Sequence, residues 1–250
     1  MWLKPCSALL LMLSMPLAPA AAQPRGGEGF LFKRPTGTFS LRIGVGQPNV
    51  SADTLDVFGF AQQRLTLRRR DFLGLAAAAD AGISILPRLD LILGIGITTR
   101  RAESELRDFV DLDDLPIEQR TTFRRVPVTA GLKWQVTAPG RSVSSLAWVP
   151  ARFAPYLAAG GGVINYTFKQ EGDFVDFETL DVFNATLTSN GWTGTAYGAA
   201  GGTLTLTPSV GLTAEVRYDY ARTSLDPTFE GFRPIDLSGV GITAGVLLRF

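Results

Sequence analysis

Two stretches near the C-terminus alternate in polarity for about eleven residues each, and this period restricts the fold more than any other feature of the chain. From Val210 to Tyr220, the residues Val210, Leu212, Ala214, Val216, Tyr218 and Tyr220 fall on one side, and Gly211, Thr213, Glu215, Arg217 and Asp219 on the other. In the last stretch Val240, Ile242, Ala244, Val246, Leu248 and Phe250 oppose Gly239, Gly241, Thr243, Gly245 and Arg249, with Leu247 the one exception. Successive side chains point to opposite faces in a strand, whereas a helix would scatter these apolar residues around its circumference. A tilted strand needs about 9 to 11 residues to cross hydrocarbon, and soluble strands average about 5 to 6. Length and alternation together predict strands that span a membrane.

Less regular versions of the pattern lie upstream. Phe39, Leu41, Ile43 and Val45 oppose Thr38, Ser40, Arg42 and Gly44; Leu73, Leu75, Ala77, Ala79, Ala81, Ile83 and Ile85 oppose Gly74, Asp80, Gly82 and Ser84. Leu91, Leu93, Ile95 and Ile97 oppose Asp90, Gly94, Gly96 and Thr98, and Val126, Val128, Ala130, Leu132 and Trp134 oppose Arg125, Thr129, Gly131, Lys133 and Gln135. Two glycine-rich segments, Tyr156 to Phe168 and Trp192 to Leu206, bring the set to eight. Beyond the N-terminus no apolar run reaches helix length, so the positive mean hydropathy of +0.16 comes from dispersed residues, as it must when every second one faces lipid. The predicted fold is all-β, an eight-stranded antiparallel up-and-down transmembrane β-barrel.

Connection lengths support that topology. The links Leu86 to Arg88 and Thr207 to Pro208 are tight and carry prolines, which start turns and cannot donate to a ladder. The links near Gly46 to Arg70, Arg101 to Thr121, Lys169 to Gly191 and Arg222 to Leu237 are long and polar; that near Ala138 to Arg152 is longer than the rule of short periplasmic turns allows. On this rule both termini are expected in the periplasm. Glycine packs nothing inside a strand, so the abundance at Gly160 to Gly162, Gly198, Gly201, Gly202, Gly239, Gly241 and Gly245 is assigned to crowding on the inward face of a narrow barrel.

The start of the chain has a different grammar. Lys4, an apolar run from Ala8 to Leu17, and small residues at Ala18, Ala20, Ala21 and Ala22 form the three parts of a secretory signal peptide, cleaved after Ala20 or Ala22. The only cysteine, Cys6, lies inside it. The expected organisation is signal peptide 1–22, a short periplasmic segment 23–36, and a barrel over 37–250. Removing the signal leaves 23 basic and 23 acidic residues in about 228, a balance without bulk attraction for nucleic acid.

Three segments resemble the small outer-membrane barrel families related to the membrane domain of the OmpA proteins: Pro155-Tyr156-Leu157-Ala158-Ala159-Gly160-Gly161-Gly162, Leu212-Thr213-Ala214-Glu215-Val216-Arg217-Tyr218, and Gly245-Val246-Leu247-Leu248-Arg249-Phe250. The resemblance implies an outer-membrane location. It also implies that Phe250, as terminal aromatic, is read by the barrel-assembly machinery. The OmpA proteins proper carry a peptidoglycan-binding domain after the barrel. This sequence stops at the barrel, so that anchoring role is not expected here.

Catalysis is not expected. The chain has no histidine, which removes the Ser-His and Asp-His mechanisms and leaves zinc only an all-carboxylate shell. No cofactor or metal is expected. The inward faces carry Arg42, Asp80, Lys133, Glu215, Arg217, Asp219 and Arg249, charges that must pair or meet water. Eight strands enclose a space that side chains just fill, so a charge-paired plug is expected, with a narrow water-filled passage as the alternative.

Two loops are acidic: Glu103, Glu105, Asp108, Asp111, Asp113, Asp114 and Glu118 in one, and Glu171, Asp173, Asp176, Glu178 and Asp181 in the other. No EF-hand spacing exists there, so solvated faces are expected. Phe109, Val110, Leu112, Phe174, Val175, Phe177, Val182 and Phe183 lie among them, as strand extensions or as an adhesive surface. Arg68, Arg69, Arg70, Arg100, Arg101, Arg124 and Arg125 sit where strands meet long loops. Guanidinium forks suit phosphate, so they are candidate lipopolysaccharide contacts, or else pair with the acidic loops. The expected role is a monomeric, non-enzymatic structural or envelope-integrity barrel; a small-solute passage is the alternative. A soluble ligand-binding barrel would require the Val210 to Tyr220 apolar face to point inward.

Overall fold

A computed structural model describes residues 29–50, 56–110, 115–175, 179, 181–226, 229 and 231–250. Residues 1–22, expected to be a signal peptide, the side chains of Asp108 and Phe109, and Asp111, Leu112, Asp113, Asp114, Asp176, Phe177 and Glu178 lie outside the described residues.

Eight strands close into one barrel: β1 (Gly37–Pro48), β2 (Gly74–Leu86), β3 (Leu89–Val110), β4 (Pro116–Gln135), β5 (Phe153–Val175), β6 (Val182–Thr205), β7 (Val210–Tyr220) and β8 (Gly239–Arg249). Each pairs antiparallel with its neighbours in sequence, and β8 returns to β1 through a register from Gly239↔Pro48 to Arg249↔Thr38. All eight sequence-derived segments fall in these strands, apart from their end residues Leu73, Leu206 and Phe250. Over the height of the short strands the ring is closed and leaves no free edge, which is what a strand structure in hydrocarbon requires.

The period of two decides inside from outside. Leu212, Val216 and Tyr218 are exposed on the outer wall of β7, while Thr213 and Glu215 are buried in the interior. The soluble-barrel reading fails on that orientation. Around the ring, Leu41, Ile43, Leu93, Ile95, Leu132, Leu157, Leu204, Ile242 and Val246 also face outward and exposed. A belt this continuous in water would be an aggregation surface; against acyl chains it is the favourable one.

The strands differ in length. β7, β8, β1 and β2 have 11 to 13 residues, whereas β3, β4, β5 and β6 have 20 to 24. The surplus of about ten residues per strand extends one side of the barrel by roughly 30 Å along the tilted strands. This tall wall absorbs most of two links predicted as loops: Glu103 pairs with Arg120, Val110 with Pro116, Phe174 with Phe183 and Val175 with Val182. The apolar residues there extend the strands. The ladder between β3 and β4 skips Gly96 and Ile97, opposite Pro127, which has no N–H to give.

Inward glycines relieve crowding as expected at Gly245, where a Cβ would collide with the Leu41 carbonyl oxygen. Gly198 differs: it sits on the outer face, and nothing lies within 4 Å of where a Cβ would be. Crowding therefore does not account for it.

Candidate functional site

The interior is built from the inward positions of all eight strands. At mid-height Arg42 forms an ion pair with Asp80 of the adjacent strand and reaches across to Glu215 at 2.8 Å. The Tyr156 hydroxyl donates to the same Glu215 oxygen at 2.9 Å, and the Ser40 hydroxyl donates to Asp80 at 3.2 Å. Arg42 and Glu215 are 5% and 7% exposed, so each charge depends on its partner. A second pair lies beside this one. Arg217 binds Asp219 at 2.9 Å, donates to Thr129 at 3.2 Å, and stacks on Tyr197 with its guanidinium carbon 3.7 Å from the ring centroid.

Below these pairs, toward the end that holds both described termini, Lys133 lies over the Tyr156 ring at 5.2 Å and opposite Asp90 in the β3–β4 register. Asp90 accepts from Ser84 at 2.6 Å and Gln135 at 3.2 Å. Arg249 donates to Thr205 at 3.1 Å. All seven predicted lumen charges therefore face inward.

The opening beneath is covered. The long link between β4 and β5 folds into a hairpin, Gly140–Ser144 with Ala147–Pro150, and Leu31–Phe32 adds a third strand. Its Trp148, 3% exposed, closes a cavity of about 40 Å³ shared with Asp90, Lys133 and Arg249. The departure from short turns noted in the sequence is this cap.

The other end is filled by a loop. After β1 the chain forms helix α1 (Val57–Arg64), started by Asp56, whose carboxylate accepts from the Phe58 N–H at 2.8 Å. Phe58 is fully buried and meets Phe72, Phe123 and Phe168 edge to face, with centroids 5.2, 5.1 and 5.6 Å away. Phe123 and Phe168 are inward residues of β4 and β5, so the helix lies against the inner surface of the tall wall. Phe229, Ile235 and Leu237 from the β7–β8 link complete the cluster. Asp236 fastens this lid: it accepts from Asn49 at 3.0 Å and from the Ser238 N–H at 2.9 Å, and Arg222 lies at 3.5 Å. Burial alone would raise the Asp236 carboxyl, but these hydrogen bonds and the guanidinium hold it below the usual carboxylate range.

The seven candidate phosphate-binding arginines divide. Arg125 is a correction: it is 5% exposed and donates to the Leu237 carbonyl at 2.6 Å, because odd positions of β4 point inward. It ties the barrel to the loop cluster and does not reach lipid. Arg100 also turns inward and donates to the Asp71 carbonyl at 2.7 Å, which holds in place the 3-10 turn Arg69–Phe72. Arg68, Arg69 and Arg70 are exposed on and beside that turn, and Arg101 and Arg124 are exposed on the outer wall. Sequence reasoning missed Tyr156, Tyr197 and the phenylalanine cluster. The tyrosines were detectable as aromatics on the glycine-bearing face; Phe58 was signalled only by the short apolar run Val57-Phe58-Gly59-Phe60-Ala61.

Among the described residues no group of three or more acidic, cysteine or histidine side chains is placed to hold a metal ion. Of the acidic residues, Glu103 pairs with Arg120 at 3.0 Å and Glu171 with Lys169 at 2.6 Å, the latter bond holding Glu171 below its ordinary range.

No family model and no curated protein matches the sequence. Among solved structures the chain is similar to the outer membrane protein OprG from Pseudomonas aeruginosa, at 14% identity over 88% of this chain and 99% of that one, with a TM-score of 0.48. Neisserial surface protein A aligns at 12% identity over 86% and 96% of the two chains, with a TM-score of 0.44. A major outer membrane protein from Thermus thermophilus aligns at 15% identity over 86% and 99%, with a TM-score of 0.43. Identities and scores of this size carry no function across. On its own closed ring of eight antiparallel strands, its apolar outer belt and its ion-paired interior, the chain is a small β-barrel of outer-membrane type.

Proposed function

We propose that this protein is a sealed structural barrel of the outer membrane, with both termini in the periplasm and the tall wall outside the cell. The observation that carries this reading is Arg42, which joins Asp80 and Glu215 across the middle of the lumen. Opening a water path there would separate buried charges from the partners that neutralise them, at a cost of about 3 to 5 kcal/mol. The aromatic cluster above and the Trp148 cap below support the same conclusion. The role left to such a molecule is to stiffen the envelope and to display the tall wall, whose outward side is polar and charged. The 70% exposure of Phe250 at the barrel base supports its reading by the barrel-assembly machinery. The exposed Arg101 and Arg124 on the outer wall support contact with the phosphates of lipopolysaccharide.

Planar-bilayer recording of the purified protein tests the central claim. No steady unitary current is expected; reproducible single-channel steps would overturn the sealed reading in favour of a small-solute passage.

A further inference from the structure

The outer wall of the barrel is not uniform. Along the middle of β2 the lipid-facing positions are Ala77, Ala79 and Ala81, with the exposed Leu75 above them and Ile83 below, and Ala77 and Ala79 lie between Leu41 and Ile43 on β1 and Ile95 and Ile97 on β3. The register aligns these residues in rows: Ala244, Ile43, Ala77 and Ile97 in one, and Val246, Leu41, Ala79 and Ile95 in the next. Strand β2 is thus the floor of a trough, and the hollow there measures about 750 Å³. Val126 of β4 forms part of its border.

Directly above this border the wall becomes cationic. Arg124 is the next outward residue on β4 after Val126, about 7 Å higher, and it lies opposite Thr99 of β3. Arg101 occupies the following outward position on β3. Among the described residues neither has a carboxylate partner within ion-pairing distance; Arg124 makes one long contact to Thr167, at 3.4 Å. Lys169, level with Arg101 through Thr122, is paired with Glu171, and Arg120, higher up, with Glu103, so the two nearest carboxylates are engaged; Glu105 and Glu118 face each other further up, beyond the cationic rows. On the other side, the 3-10 turn that starts β2 holds Arg69 and Arg70 exposed, fixed from below by Arg100 and by Gln47, which donates to the Arg69 carbonyl at 3.0 Å.

We infer that this face is a binding site for one molecule of a phosphorylated, multiply acylated glycolipid, the lipopolysaccharide of the outer leaflet. One acyl chain lies in the alanine trough, and a phosphate is held by Arg101 and Arg124, with Arg69 and Arg70 beside it. Guanidinium forks match phosphate oxygens, and a chain seated among Leu41, Ile43 and Ile97 gains contacts that a flat wall does not offer. Charge complementarity and continuity with the lipid-facing belt identify the occupant. The inference rests on the outer-membrane reading, with the tall wall outside.

The test is native mass spectrometry on the folded full-length mature chain, released from bilayers of phosphatidylethanolamine containing either lipopolysaccharide or phosphatidylglycerol. One retained lipopolysaccharide per barrel is expected. Arg101→Ser with Arg124→Ser, and separately Ala79→Phe, which fills the trough while leaving every arginine in place, should each lower that retention by roughly tenfold. Retention unchanged in either variant, or equal retention of phosphatidylglycerol, overturns the site. All these substitutions lie on the outer wall, and heat-modifiable gel migration of each variant verifies folding. Separately, a wild-type chain that stays soluble when prepared without detergent or lipid would overturn the membrane reading itself.

Discussion

The middle of the lumen and its upper mouth are both closed, by opposite chemistry. At mid-height, strands distant in sequence hold charges together: Arg42 meets Glu215 across 173 residues. At the mouth, a loop helix buries Phe58 against the phenylalanines of the tall wall. The charged layer is directional, and loss of one member leaves the others stranded. The aromatic layer is graded and mends partly by repacking. One interior thus contains a lock that fails all at once and a plug that loosens by degrees.

The most severe way to break this contrast is Arg42→Ala. It leaves Asp80 and Glu215 buried without their cation and should cost about 3 to 5 kcal/mol of barrel stability. Denaturant unfolding in detergent, followed by heat-modifiable migration, measures it; replacing Arg42, Asp80 and Glu215 together by apolar residues should recover much of the loss. Phe58→Ala comes next. It should cost roughly 3 kcal/mol at the mouth, visible as lost amide-exchange protection in Val57–Arg64 while the strands at mid-height keep theirs. If the whole barrel loosened together, lock and plug would be one cooperative unit and the distinction would fail.

Asp56→Ala removes the carboxylate that caps α1 and should weaken the helix by about 1 kcal/mol, read by the same exchange experiment. Acid has the smallest effect. Because Asp236 sits below its unfolded value, its contribution is present above the ordinary carboxylate range and disappears as pH falls through the lowered folded value. Exchange at Ser238, whose N–H donates to Asp236, should quicken only in that acid range. Asp236→Asn should flatten the dependence.

The strands were legible because a period of two is a local property that needs no knowledge of partners. Leu212, Val216 and Tyr218 could be separated from Thr213 and Glu215 before any neighbour was known. The same rule assigned Arg125 to the inward face, opposite Val126 and Val128, yet its place near a long loop grouped it with lipid-facing arginines. Parity was the better guide. The upper halves of β3 to β6 were hidden because acidic residues such as Glu103 and Glu118 resemble loop sequence; out of the membrane, a strand no longer needs an apolar face. The helix at Val57 was hidden for a different reason: it is short, and its burial comes from Phe123 and Phe168, more than 60 residues away.

Sequence alone determined that the chain forms strands of membrane length, how many there are, and which side chains turn inward, since alternation acts residue by residue. Tertiary structure decided which inward charges meet, which loop fills the mouth and where the outer wall is hollow. Those outcomes depend on ring closure and on the register between strands, which bring together residues that nothing in their local sequence relates.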